Sequence, residues 1–186
     1  MINKPLLKEQ RVGVFIDVQN LYYSAQAIYG KKVNFKHILE DIVAGRPLVR
    51  ATAYAVKADA TYEQTFFSAL EGMGIEVKLK DLQIFYGGHK KADWDVGLAV
   101  DTIKQAPKLD TVIICSGDGD FGDVVQYLMF LGCRVEVAAF GKSTSGKLKD
   151  MVHKFWDLDQ SSSRYLLTAP TNRKPSSRPS HSTLLA

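Results

Sequence analysis

Ser116-Gly117-Asp118-Gly119-Asp120-Phe121-Gly122-Asp123 stands between a continuous apolar run at residues 111–115 and an amphipathic run at residues 124–131. Three carboxylates and three glycines therefore fall where a buried strand turns into a helix. A second run of the same kind lies near the front of the chain, where Val12-Gly13-Val14-Phe15-Ile16 is followed by Asp17-Val18-Gln19-Asn20. Buried strands that end in acids are how an α/β protein builds a site for a hard cation.

Strand and helix signals alternate outward from these two runs. Apolar or alternating segments predict strands at 11–17, 49–57, 75–80, 83–86, 110–115 and 134–140. Helical spacing predicts helices at 21–29, 35–43, 60–73, 93–106, 121–131 and 146–155. The boundaries carry their own chemistry: Asn34 as an N-cap, Gly30 and Gly74 as left-handed ends, Gly45 with Pro47, and Pro107 as stops. The 75–80 segment alternates apolar with charged residues and reads as an edge strand with one wet face. Strands separated by helices imply right-handed β-α-β units. The expected architecture is a three-layer α/β/α, Rossmann-like domain with a mostly parallel central sheet.

The chain has 186 residues, 46% of them hydrophobic, enough for one self-sufficient core. No apolar stretch approaches the roughly 18–20 residues of a membrane span, and no signal-peptide core opens the chain. A cytoplasmic protein without a membrane partner is expected. Cys115 and Cys133 both lie in apolar surroundings and read as reduced core residues. Residues 161–186 hold Arg164, Arg173, Lys174 and Arg178 and no acid, which leaves 20 acidic and 20 basic side chains in residues 1–160. Residues 1–160 are therefore expected to form the domain. The Ser/Pro-rich basic tail at 161–186 is expected to be disordered and open to RNA, a protein partner or a second copy of the chain.

Topology predicts that the acids meet. Ligand sites in parallel α/β sheets form beyond the carboxyl ends of the strands, which is where Asp17 and Asp118 fall. A crossover helix at 93–106 runs antiparallel to its strands, so its N-terminus returns to the same rim with Asp93 and Asp95. Each acid also has an ordinary role open to it. Asp93 can cap its helix, Asp95 and Asp123 suit a helix N-terminus, and Asp118 and Asp120 suit a turn. Asp101 lies more than a turn beyond Asp95 on a different helix face, which fits a surface or supporting position. Jointly, like charges gathered at one rim call for a cation. With oxygen donors only, that cation is expected to be Mg²⁺ or Mn²⁺. His37, His89, His153 and His181 have no zinc-site spacing, and Ser116 has no nucleophile-elbow motif around it.

Three motifs in order resemble the NYN domain family: Phe15-Ile16-Asp17-Val18-Gln19-Asn20, the Asp93-Trp94-Asp95 segment that runs on to Asp101, and Ser116-Gly117-Asp118-Gly119-Asp120-Phe121. The likeness is to its LabA-like branch, within the PIN-like nuclease superfamily, and covers roughly residues 10–157. It implies a Rossmann-like domain with an acidic metal pocket and a metal-dependent ribonuclease activity on single-stranded RNA. By position, the family's first-strand Asp falls on Asp17 and its neighbouring polar residue on Asn20. The mid-chain Asp of its Lys-Gly-Val-Asp-Val pattern falls on Asp95, and its Ser-Gly-Asp-x-Asp-Phe acids fall on Asp118 and Asp120. This chain departs from the mid-chain pattern, reading Lys91-Ala92-Asp93-Trp94-Asp95.

The expected site therefore has Asp17, Asp95, Asp118 and Asp120 as catalytic metal ligands. Asn20, Ser116, Lys90, Lys91 and Lys142 are expected at the substrate, with Asp93, Asp101 and Asp123 in support. Tyr22 and Tyr23, where exposed, can stack a base, although tyrosines on a helix more often belong to the core. A rival reading keeps the pocket without turnover, as an RNA-binding or regulatory module. A phosphatase of haloacid dehalogenase type would need its Asp pair after the first strand. An EF-hand loop fails at Gly122 and lacks a closing Glu, and no Gly-rich turn follows the first strand for a dinucleotide.

Overall fold

Val12, Val14 and Ile16 leave the first strand on one side and Phe15 on the other, so β1 (Val12–Asp17) is buried on both faces. The computed structural model describes residues 6–57, 61–81, 83–84, 90–91 and 93–167, with the side chains of 61–63, 83–84 and 90–91 left aside. Six strands form one all-parallel sheet: β1, β2 (Leu48–Lys57), β3 (Glu76–Asp81), β6 (Thr111–Cys115), β7 (Arg134–Ala139) and β8 (Lys154–Asp157). Their order is β3-β2-β1-β6-β7-β8. The short β4 (Gln83–Ile84) and β5 (Lys90–Lys91) pair antiparallel as a separate ribbon.

The chain winds outward from β1 to β3 and then returns to the other side of β1 with β6. The strand order thus reverses between β1 and β6, the point at which a doubly wound sheet opens a crevice.

Two cores cover the sheet. On one face α1 (Val18–Tyr29), α2 (Phe35–Val43) and α3 (Thr61–Gly72) contribute Leu21, Ile38, Ile42 and Leu70. On the other, α4 (Asp95–Gln105), α5 (Gly122–Phe130) and α6 (Gly146–Met151) contribute Leu98, Val125, Leu128 and Leu148. Cys115 and Cys133 are free, buried thiols, one in each core. None of the described helices is long and apolar enough to cross a membrane.

Three boundaries correct the sequence reading. The helix expected over 146–155 stops at Met151, and residues 154–157 are the sixth parallel strand. Leu148, Val152 and Phe155 keep helical spacing, but backbone pairing of Lys154–Asp157 along β7 prevails. The domain also continues past residue 160. In α7 (Ser162–Tyr165) the Arg164 guanidinium grips Asp41 at 2.7 and 2.8 Å, the Tyr165 hydroxyl donates to Asp41, and Leu166 bridges to Val33. Residues 161–167 are therefore part of the fold, while 168–186 lie outside the described residues. Third, of the strand expected at 83–86, residues 83–84 form β4, paired in the ribbon and apart from the main sheet, and 85–86 lie outside the described residues.

A buried ion network ties α2 to the far edge of the sheet. Arg46 follows α2 and donates to the Ile42 and Val43 carbonyls, and both its terminal nitrogens reach Glu136 at 3.1 Å. Glu136 also accepts from Arg134 Nε at 2.6 Å and Trp156 Nε1 at 2.8 Å. Burial would push its carboxyl up, but these bonds outweigh burial and hold it below the usual range. Removing Glu136 would leave two buried guanidiniums without a counter-charge. Glu136→Ala is expected to cost roughly 3–5 kcal/mol. Thermal melts should show this as a fall of roughly 10 °C or more; an unchanged melting temperature would mean that the network is not structural.

Candidate functional site

Strand alternation sends Asp17, two residues after Phe15, towards the face that carries α4 and α5. Its carboxylate is also the N-cap of α1. Oδ1 accepts from the Asn20 backbone N–H at 3.0 Å, and Oδ2 accepts from the Ser116 hydroxyl at 3.3 Å. Asn20 completes the stitch, its Oδ1 accepting from the Gly117 backbone N–H at 2.9 Å. Across the junction, Ser116 Oγ accepts from the Asp118 N–H, and Asp118 Oδ1 accepts from the Asp120 N–H at 3.0 Å to cap a one-turn 3₁₀ helix, Gly119–Phe121. The carboxyl ends of β1 and β6 are thus laced side chain to backbone.

Gly117 is required by close approach and not by its own torsions. A Cβ there would lie 2.7 Å from Thr144 Oγ1 and 3.2 Å from the Thr144 backbone. The Ser145 N–H donates to the Gly117 carbonyl at 3.1 Å, so the segment after β7 packs directly on the acidic loop.

The helix α4 brings the third contribution. Trp94, just before Asp95, donates its indole N–H to the Ala55 carbonyl of β2 at 2.8 Å and meets the Tyr54 ring edge-on at 5.4 Å. The Lys80 ammonium lies 4.9 Å from the Trp94 ring centroid, and a Cβ on Gly97 would stand 2.6 Å from the same indole. The first turn of α4 is therefore clamped to the rim with Asp95 in it. Sequence reading weighed Asp93 as the helix cap and passed over Trp94. In fact Trp94 occupies the cap position with no side-chain cap bond, and Asp93 is exposed, its carbonyl accepting from Lys80.

These segments share one electrostatic environment. Burial is the largest influence on Asp17, and with the charges of Asp95 and Asp118 it carries the carboxyl up to about 6, against the opposing bonds from Asn20 and Ser116. Asp95 is likewise raised, by burial and then by Asp118, Asp93 and Asp120, with Lys80 in opposition. Among the described residues, no three His, Cys, Asp or Glu side chains form a ready ligand cluster. The donor chemistry, oxygen only and mutually repulsive, still fits a hard divalent cation that keeps part of its water shell.

A groove of about 380 Å³ between α4 and α5 opens from this rim. Asp95, Asp120 and Asp123 line it together with Val96, Ile103 and Tyr127.

The other expected residues divide. Ser116 is fully buried with its hydroxyl on Asp17, so it positions that carboxylate and is not available to touch substrate. Asp101 stands apart from the acids, bound by the Lys78 ammonium at 2.5 Å and the Tyr54 hydroxyl at 2.9 Å. Lys142 lies along α1, its ammonium 5.1 Å from the Tyr29 ring centroid. The side chains of Lys90 and Lys91 lie outside the described residues. Tyr22 and Tyr23 are exposed and meet edge-on at 5.5 Å.

Comparison with known proteins agrees with this fold. The chain is 26% identical over 161 residues to the low amplitude and bright protein LabA of Synechococcus elongatus, a match that spans 82% of this chain and 86% of LabA. It superposes with a TM-score of 0.79 and 31% identity on the crystal structure of a protein of unknown function from Vibrio parahaemolyticus, covering 88% of this chain and 100% of that one. The sequence profile of the NYN domain matches residues 11–159, nearly the whole described body. The chain belongs to the NYN domain family.

Proposed function

We propose that this protein is a metal-dependent ribonuclease that hydrolyses RNA phosphodiester bonds at the carboxyl rim of β1 and β6. The observation that supports the reading is that Asp17, Asp95 and Asp118, from three separate segments, lie near enough at the point where strand order reverses for the charges of Asp95 and Asp118 to raise Asp17. Membership of the PIN-like nuclease superfamily supports the same chemistry. Asp17, Asp95, Asp118 and Asp120 would hold Mg²⁺ or Mn²⁺. Such an ion, when bound, acidifies a water and neutralises charge on a phosphate.

The chain's own groups do the positioning. Ser116 and the Asn20 N–H fix both oxygens of Asp17. Asn20, anchored through its Oδ1, keeps its amide N–H₂ to donate to a phosphate oxygen. Asp93 and Asp123 add negative charge around the ligands, while Lys90, Lys91 and Lys142 would meet the RNA backbone beyond them. The second reading, an RNA-binding module without turnover, draws on the lack of a preformed three-acid cluster among the described residues.

Cleavage of end-labelled single-stranded RNA in Mn²⁺ separates the two. Wild type is expected to cut and Asp118→Asn to lose on the order of 10²-fold or more in rate, in line with the loss of one group that stabilises transition-state charge. EDTA should abolish wild-type cleavage. Cutting that survives both changes ends the metal mechanism, and tight binding with no cutting in any divalent metal favours the second reading.

Stability gives an independent check. Between pH about 4 and about 6 the folded protein keeps a proton on Asp17 that the unfolded chain has released, so this group's contribution falls as pH rises through that window. The full loss is on the order of 3 kcal/mol. Asp17→Asn, whose amide oxygen can keep the Asn20 N–H bond while its N–H₂ donates to the Ser116 hydroxyl oxygen, is therefore expected to melt above wild type at pH 7.5 without metal, with the gap closing towards pH 4. Added Mn²⁺ should raise wild type and leave Asp17→Asn unmoved. Equal melting of the two proteins at both pH values would remove the claim that this carboxylate is held at a cost.

A further inference from the structure

Three buried side-chain atoms among the described residues have no hydrogen-bond partner: Gln10 Oε1, Thr111 Oγ1 and Arg134 Nη2. All belong to the amino edge of the sheet, opposite the acids, since Gln10 precedes β1, Thr111 opens β6 and Arg134 opens β7. Thr111 and Arg134 are register partners on neighbouring strands about 4.8 Å apart. Strand alternation points both to the face that carries α2, because Ile113 and Ala138 belong to that core.

Charge there does not balance. Arg46 and Arg134 both bond to Glu136, and Lys154 is the register partner of Glu136 on β8. Burial and the two guanidiniums hold the Lys154 ammonium below the ordinary lysine range, although Glu136 opposes them. Part of the Arg46 charge is met by the last carbonyls of α2. Among the described residues Arg134 has no comparable second acceptor, and it is 9% exposed. A buried cation with an unused N–H beside an unused hydroxyl calls for an acceptor that carries negative charge.

We infer that Arg134 Nη2 and Thr111 Oγ1 form a binding site for a small inorganic anion, a halide such as chloride. Both groups donate. Burial of the surrounding side chains favours a single-atom anion. A tetrahedral oxyanion would leave further oxygens unpaired in the interior. A bound halide would neutralise the excess positive charge where β6, β7 and the edge strand β8 begin. The site is independent of the nuclease reading.

Bromide-soaked crystals and thermal melts test it together. An anomalous peak is expected within hydrogen-bond reach of Arg134 Nη2 and Thr111 Oγ1. At constant ionic strength, wild type should melt about 3 °C or more higher in chloride than in gluconate, with a saturable dependence. Thr111→Val should fold and lose that difference, and Arg134→Lys should reduce it. Density for a water with no anomalous signal overturns the inference, as does identical melting in the two salts or a chloride effect that persists in Thr111→Val. A bromide peak without any chloride-specific shift marks an adventitious ion only and also overturns it.

Discussion

A carboxylate is held out of water at the one place where the sheet reverses its strand order, and the rest of the site is arranged around that burial. Asp17 belongs at once to β1, as its last residue, and to α1, as its cap. Ser116 Oγ crosses to it from β6, and Asn20 returns the connection to Gly117. These bonds fix the angle at which α1 leaves the sheet and the path of the acidic loop. They do not remove the cost of ionising Asp17 beside Asp95 and Asp118, which the raised carboxyl records. A protein that needed only a helix cap would have no reason to place two more acids within range of it.

Sequence made the frame legible because the frame obeys periodicity. Strands such as Val12–Asp17 and Thr111–Cys115 are continuous apolar runs, and Asn34 caps α2 through His37 N–H as its position predicts. The rim shared by Asp17, Asp95 and Asp118 was legible too, since it follows from where strands end and crossover helices begin. The misread elements are those decided by distant partners. β8 has a helical spacing of apolar residues and becomes a strand only because β7 offers an edge. Residues 161–167 look like linker until Asp41 and Val33 are seen to hold them. Ser116 reads as a substrate contact until burial turns its hydroxyl to Asp17.

Trp94 shows what a one-dimensional reading loses. Between two acids it looks incidental, yet its indole reaches β2, packs on Tyr54 and sits beneath Lys80. The signal was present in the size of the residue, for a large aromatic at a helix start has surface to bury. What it packs on, and hence its role in fixing where Asp95 stands, depends on β2, some 40 residues earlier and out of reach of local pattern.

The two rims of the sheet differ for a reason that lies in topology. In a parallel α/β fold, helices that follow strands start at the carboxyl rim, so their positive dipole ends gather there. α1 starts at Asp17, α4 carries Asp95 in its first turn, and α5 carries Asp123. The field of those helix starts lowers the cost of gathering carboxylates at that rim. Helix ends lead into strands at the opposite rim, where α2 presents its last carbonyls to Arg46. The acidic loop at one edge and the anchoring of Arg46 on helix carbonyls at the other thus follow from a single winding direction. The same rule places the raised carboxyl of Asp17 at one edge and the unused Arg134 donor at the other.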